Sequence, residues 1–226
     1  MQDRVSFVCP ICQQATERPN YAILNAQKQR DLKLDLLAGD LFRFECPHCG
    51  GLRLIETPFL YYDPKLKFAI YLDPHFDHHP QESIEQAQLS LIAADEDSSR
   101  YHLRLVNRLA SLVEKVHIFD QGFNDQLVEV VKLLTDGLFA QQEGDRQVSQ
   151  RYFQWDKGKS QLLYLTDQGT FKVDYLPKLV QFIQKKYAKE LKQTYLGEWL
   201  MVDHHWALRI AQHENGLETD KTLNFD

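Results

Sequence analysis

All four cysteines of the chain fall in two identical frames, Cys9-Pro10-Ile11-Cys12 and Cys46-Pro47-His48-Cys49. Two intervening residues let a tight turn aim both sulfurs at one point while backbone N–H groups face the thiolates. Two such turns supply four ligands in tetrahedral geometry, with metal–sulfur distances near ~2.3 Å. Gly50 follows the second pair, where a left-handed backbone suits glycine; Gln13 stands at that place after the first. A dithiol redox motif uses one pair ahead of a helix. Here each pair follows a strand-like apolar run instead, Val5–Val8 and Leu41–Phe44. Structural disulfides need an oxidising compartment, and MQDRVSFVCPIC shows no secretory signal. The expectation is that Cys9, Cys12, Cys46 and Cys49 hold one metal ion in the cytoplasm, Zn²⁺ ahead of iron. A closed four-sulfur shell leaves no position for water, so this ion is expected to be structural.

The 33 residues between Cys12 and Cys46 exceed the ~15–20 of the commonest paired-cysteine sites. The pattern predicts a strand at Asn20–Asn25 and a helix at Gln27–Ala38, with Leu32 and Leu36 on one face. Gly39 is its expected C′ residue. Strands are expected at Leu41–Glu45 and Leu52–Glu56. Over Leu66–Leu72, Leu66, Phe68, Ile70 and Leu72 alternate with Lys67, Ala69 and Tyr71, the period of a half-buried strand. Together these describe a zinc ribbon with a helical insertion and an added strand.

CPIC, then LDLLAGDLFRFECPHCG, then TPFLYYDPKLKFAIYLDP resembles the CpXC domain family, named for its paired CPxC motifs. Thr57–Asp63 matches that family's P-x-L-Y-x-D segment, with Tyr62 where the family often has His. A second block, Tyr101–Lys132, is also similar; it has Phe123-Asn124-Asp125 where Leu-Asp-Asp is more frequent. The resemblance covers about residues 1–140. It implies a cytoplasmic microbial zinc-ribbon protein, from a family with no assigned activity.

Beyond the cysteines, residues 73–100 read as a polar link (about 80–99) containing a short helix, Ser83–Ala93. Tyr101–Val106 is expected to return as a strand to the ribbon sheet. Asn107 is the expected N-cap of a helix whose face carries Leu109, Leu112, Val113, Val116 and Phe119. A second helix places Leu127, Val130, Val131, Leu134 and Leu138 together, completing an αα-hairpin. The polar stretch Gln141–Ser149 marks a boundary. After it, Arg151–Trp155, Gln161–Leu165 and Thr170–Tyr175 alternate with turn residues and predict a three-stranded meander. Pro177 opens a helix with Leu179, Phe182, Ile183 and Tyr187 facing the sheet, and Asp203 caps a last one through Gln212. The expected class is α+β: residues 1–140 form a CpXC-like ribbon domain with the helical hairpin, and 147–226 form a C-terminal α+β domain.

Charge separates the candidate functions. The chain carries 26 Lys+Arg against 32 Asp+Glu, a net −6. Residues 1–73 are balanced, with nine of each sign, so the acidic excess lies beyond them. Nucleic-acid binders concentrate positive charge, so ribbon-mediated binding through Arg18, Lys28, Arg30, Lys33, Arg43 and Arg53 ranks second. A non-enzymatic interaction or regulatory module with protein partners ranks first. No apolar run reaches the ~20 residues that span a membrane, and no membrane partner is expected. No phosphate-cradling loop, nucleophile elbow or HExxH motif is present, and no catalytic or organic-cofactor residue is assigned. Two histidine clusters carry the third reading, a hydrolase-like enzyme. His75, His78 and His79 stand with Asp73 and Asp77; His204, His205 and His213 stand with Asp203. Both are read first as polar surface. Glu114 with Lys115, and Glu129 with Lys132, are expected to face solvent or to form a small hydrogen-bond network between the paired helices; together with Asp125 they are a candidate shared polar surface of the family-like block.

Overall fold

The computed structural model describes residues 4–213 apart from residues 145 and 157. The described residues form two compact units, residues 4–113 with 196–200, and residues 114–195 with 201–213.

The first unit opens with β1 (Arg4–Val8) and β2 (Ala15–Pro19), an antiparallel hairpin. β3 (Ile23–Asn25) and α1 (Arg30–Ala38) follow. The helix ends where expected, because Gly39 adopts φ 80° and its N–H bonds back to the helix carbonyls. β4 (Arg43–Glu45) and β5 (Leu52–Leu54) form a second hairpin. The 33-residue gap therefore holds the closing strand of one hairpin, a core strand, a helix and the opening strand of the other hairpin.

β6 (Phe59–Asp63), β7 (Phe68–Leu72), α2 (Pro80–Ala93) and β8 (His102–Val106) build the core of this unit. β6 and β7 are antiparallel neighbours, whereas β8 runs parallel to β7 after the α2 crossover. With β3 on one edge and the short β12 (Trp199–Leu200) on the other, they make a five-stranded sheet of order β12-β8-β7-β6-β3.

Two expectations are corrected here. Phe68–Leu72 is buried on both faces, not half-buried, because it is a central strand; Leu66 and Lys67 belong to the β6–β7 turn, with Lys67 at φ 57°. The strand after residue 101 joins this five-stranded sheet and not a cysteine hairpin. Period-two alternation signals one covered face, but continuous burial depends on what packs against the other.

α3 (Leu109–Asp120) begins in the first unit, and Asn107 is not its cap. The Asn107 amide donates to Asp77 instead, while Glu56 accepts from the Leu109 N–H.

In the second unit α3 leads through Gly122 (φ 71°) into α4 (Asp125–Glu143). Asn124 caps α4, its side-chain oxygen accepting from the N–H groups of Gln126 and Leu127. Asn and Asp are equivalent in that role, so the departure from Leu-Asp-Asp leaves the cap intact. Leu127, Val130 and Val131 are buried as expected, but Leu138 is exposed and Phe139 takes its place in the core.

β9 (Val148–Asp156), β10 (Lys159–Thr166) and β11 (Gly169–Asp174) form the antiparallel meander. α5 (Pro177–Lys186) and α6 (His204–His213) pack on α4. Ile183 and Tyr187 are buried, whereas Phe182, expected inside, is 52% exposed. Asp203 caps α6 by accepting from the Trp206 N–H.

Candidate metal centre

The two CPxC frames are the turns of the two cysteine hairpins, and their backbones repeat one another. Cys9 N–H donates to the Gln14 carbonyl at 2.9 Å, and Cys46 N–H donates to the Gly51 carbonyl at 3.0 Å. Gln13 N–H returns to the Cys9 carbonyl at 2.9 Å, as Gly50 N–H does to Cys46 at 2.8 Å. Each turn thus raises its two sulfurs on the same side of a short ribbon.

The hairpins also touch each other. Phe7 and Phe44 meet edge to face, with ring centroids 4.8 Å apart. His48 Nε2 lies 3.2 Å from the Ala15 carbonyl. Ile11 reaches so close to Gly51 that any side chain on residue 51 would displace it.

This packing brings the sulfurs of Cys9, Cys12, Cys46 and Cys49 within 4.8 Å of one another. Cys9 Sγ lies 3.9 Å from Cys49 Sγ, and Cys12 Sγ lies 3.8 Å from Cys46 Sγ. A tetrahedron with metal–sulfur bonds near ~2.3 Å has edges of about 3.8 Å. Disulfides require about 2.05 Å, and all four thiols are free. The four sulfurs fit one metal ion.

Electrostatics points the same way. The backbone N–H groups of Cys12 and Ile11 draw the Cys9 thiol down to about 6. The Gly51 amide acts likewise on Cys49, but loss of water and the three neighbouring sulfurs outweigh it and push that thiol up to about 12. Four sulfurs this close cannot all ionise without a cation among them.

Among the described residues, no other group of three His, Cys, Asp or Glu side chains converges in this way. His75, His78 and His79 are exposed. Asp73 accepts from the His75 N–H and the Ser83 hydroxyl, which organises the loop. His205 and Arg209 lie on the exposed face of α6, and the His213 side chain lies outside the described residues.

His204 has a partner that sequence reasoning missed. Its Nδ1 is 3.8 Å from Asp136 Oδ2, which also pairs with Arg151 Nε at 3.0 Å. Tyr164 donates to Asp136 Oδ1 at 2.9 Å. These groups come from α4, β9, β10 and α6, so no local motif announces them.

Glu114, Lys115, Asp125, Glu129 and Lys132 of the helical hairpin are buried, each no more than 5% exposed. Lys132 Nζ bridges Glu114 and Glu129, both at 2.9 Å. Lys115 Nζ lies 3.1 Å from Asp125 and 3.3 Å from Glu129. Glu114 also accepts from the Phe153 N–H of β9. Of the two expectations for these residues, the network between helices is realised and the solvent-facing one is not.

Of the ribbon cations, Arg18 is buried and donates to Thr57 at 3.4 Å, and Arg43 pairs with Asp40 at 3.5 Å. No helix among the described residues is long and apolar enough to cross a membrane.

Fold and site together define an α+β protein with a four-cysteine cluster able to hold a metal ion. The sequence model of the CpXC protein family matches residues 7–132, more than half of the chain. The chain belongs to the CpXC family. No curated protein and no solved structure matches it.

Proposed function

We propose that the chain is an interaction or regulatory module built on a structural zinc ribbon. The observation that carries this reading is the closed set of four sulfurs on two mutually packed hairpin turns. Zn²⁺ matches four thiolates at tetrahedral spacing and brings no redox chemistry of its own. With every ligand position taken by sulfur, the ion ties the hairpins together and does not activate water. Four reduced thiols suit a reducing compartment such as the cytoplasm, and protein partners are the expected ligands. Metal analysis of the purified chain should find one zinc per molecule, and a cobalt-substituted form should show the absorption of tetrahedral thiolate ligation. The metal-bound chain used as bait should retain a protein partner that the Cys46→Ser chain loses. A vacant coordination position, or turnover of a metabolite dependent on the ion, would replace this reading.

A second reading is an enzyme using a carboxylate–histidine pair, favoured by the approach of His204 to Asp136 beside Arg151 and Tyr164. Substituting His204 by Asn would then abolish a turnover that zinc removal leaves intact.

A further inference from the structure

Two exposed helix faces of this chain are complementary in charge. α5 buries Ile183, with Tyr187 buried just past its end, and turns Lys178, Phe182, Lys185 and Lys186 outward. The chain continues past it in a turn closed by the Leu191 N–H on the Tyr187 carbonyl, and Lys189 in that turn is exposed. From Tyr175 to Lys189 there are four lysines and no acid. Among the described residues, neither Lys185 nor Lys189 pairs with a carboxylate.

α2 is the converse. It buries Ser83, Ala87 and Leu91 and turns Glu82, Glu85, Leu89 and Ile92 outward. Leu89 is 56% and Ile92 60% exposed, large for aliphatic side chains at helical spacing. From Asp73 to Asp97 there are seven acids and no Lys or Arg.

We propose that α2 of one molecule docks antiparallel on α5 of a second copy, making the protein self-associate. Seating Phe182 against Leu89 places Lys186 opposite Glu85, because both helices repeat their outward residues at three- and four-residue steps, and brings the turn that carries Lys189 toward the first turn of α2, where Glu82 lies. The same register sets Lys178 over the last turn of α2, which carries no basic residue to offset its carbonyl end. A parallel arrangement with the same seating would keep a charge pair, Lys178 opposite Glu85, but would put Ile92 against Lys185. The basic face is short, spanning about 12 Å along α5 from Lys178 to Lys186. The rest of the chain carries the acidic excess, which disfavours a long polyanion or a planar anionic membrane as the occupant. A helix of matching length with an apolar tip between its charges fits better.

The test uses the full chain in sedimentation velocity across concentration and salt. The wild-type protein should form a dimer or larger species at low salt, with an apparent dissociation constant rising at least tenfold by about 0.5 M NaCl as the ion pairs are screened. The chain carrying Glu82→Lys and Glu85→Lys should be monomeric, and so should the chain carrying Lys186→Glu and Lys189→Glu. Mixing the two should restore association, since each reversed face then meets its complement. All four positions are exposed, and an unchanged circular dichroism spectrum checks that each variant is folded. A wild-type chain that stays monomeric at several hundred micromolar in low salt overturns the proposal. So does association that survives either charge reversal, or a mixture that fails to associate. Binding of the α5 face to anionic vesicles or duplex DNA, without self-association, also overturns it.

Discussion

Gln13 and Gly50 occupy the same left-handed position in the two cysteine turns, at φ 60° and 67°. Each donates its N–H to the carbonyl of the first cysteine in its frame. The two turns are therefore one structure written twice, with the backbone cost met by glycine in the second copy and carried by glutamine in the first.

That asymmetry sets the first expectation. A side chain at a left-handed position costs about 1–2 kcal/mol. Gly50→Ala should destabilise the chain by about 1 kcal/mol, although a Cβ there meets no neighbour. Gln13→Gly should be neutral to stabilising by about 1 kcal/mol, the relief being offset by a freer unfolded chain. Denaturant unfolding of the metal-bound protein measures both, and equal losses at the two sites would contradict the equivalence.

Metal binding should be coupled to hairpin order and to pH. Cys46→Ser should release the ion and open the segments 4–19 and 43–54 to limited proteolysis. Affinity should fall as pH falls, since the Cys49 thiol, near 12 without metal, must lose its proton to become a ligand. Cys9, near 6, is already largely a thiolate at neutral pH. The dependence should steepen by about one proton as pH drops through about 6. Competition with a chromophoric chelator across pH 5–8 reads this directly, and a pH-independent affinity would rule out thiolate ligation.

The buried ions of the helical hairpin predict a sharp difference between a single substitution and a combined one. Lys132→Met leaves Glu114 and Glu129 buried without their shared cation and should cost about 3–5 kcal/mol. Replacing Lys132, Glu114 and Glu129 together by apolar residues of similar size should restore much of that loss. Equilibrium unfolding of the two variants is the measurement.

The same network sets a pH window. Burial raises Glu129, but Lys132 and Lys115 outweigh it and hold the carboxyl below its ordinary 4.5. Its stabilisation is present above 4.5 and is lost as pH falls through the depressed value. Burial lowers Lys132, but Glu114 and Glu129 outweigh it and raise the ammonium above its ordinary 10.5. That contribution is present below 10.5 and lost as pH rises beyond it. Burial raises Glu114 above its ordinary 4.5 against the pull of Lys132, so the stability difference between wild type and Lys132→Met should begin to shrink above 4.5 as pH falls, and should shrink again as pH rises beyond 10.5.

Asn124 tests the helix entry alone. Asn124→Asp should be within about 0.5 kcal/mol of wild type, whereas Asn124→Ala should cost about 1 kcal/mol. A large loss for the aspartate would mean that Asn124 does more than accept the N–H groups of Gln126 and Leu127.

Local chemistry was legible in the residue order. Cysteine spacing named the four sulfurs that converge, Gly39 ended its helix, and turn residues set out the meander, because each depends on a few adjacent residues. What surrounds an element was not legible. The complete burial of Phe68–Leu72 came from its central place in a sheet whose other strands are drawn from across the first unit. The residue order left Glu114, Lys115, Glu129 and Lys132 open between solvent and a network between helices, and their burial was decided only when α3, α4 and β9 met. Asp136 gained His204, Arg151 and Tyr164 from three different elements. A turn or a cap is stabilised within its own few residues, so sequence suffices; burial and charge pairing are properties of contacts between distant segments, which only the folded chain creates.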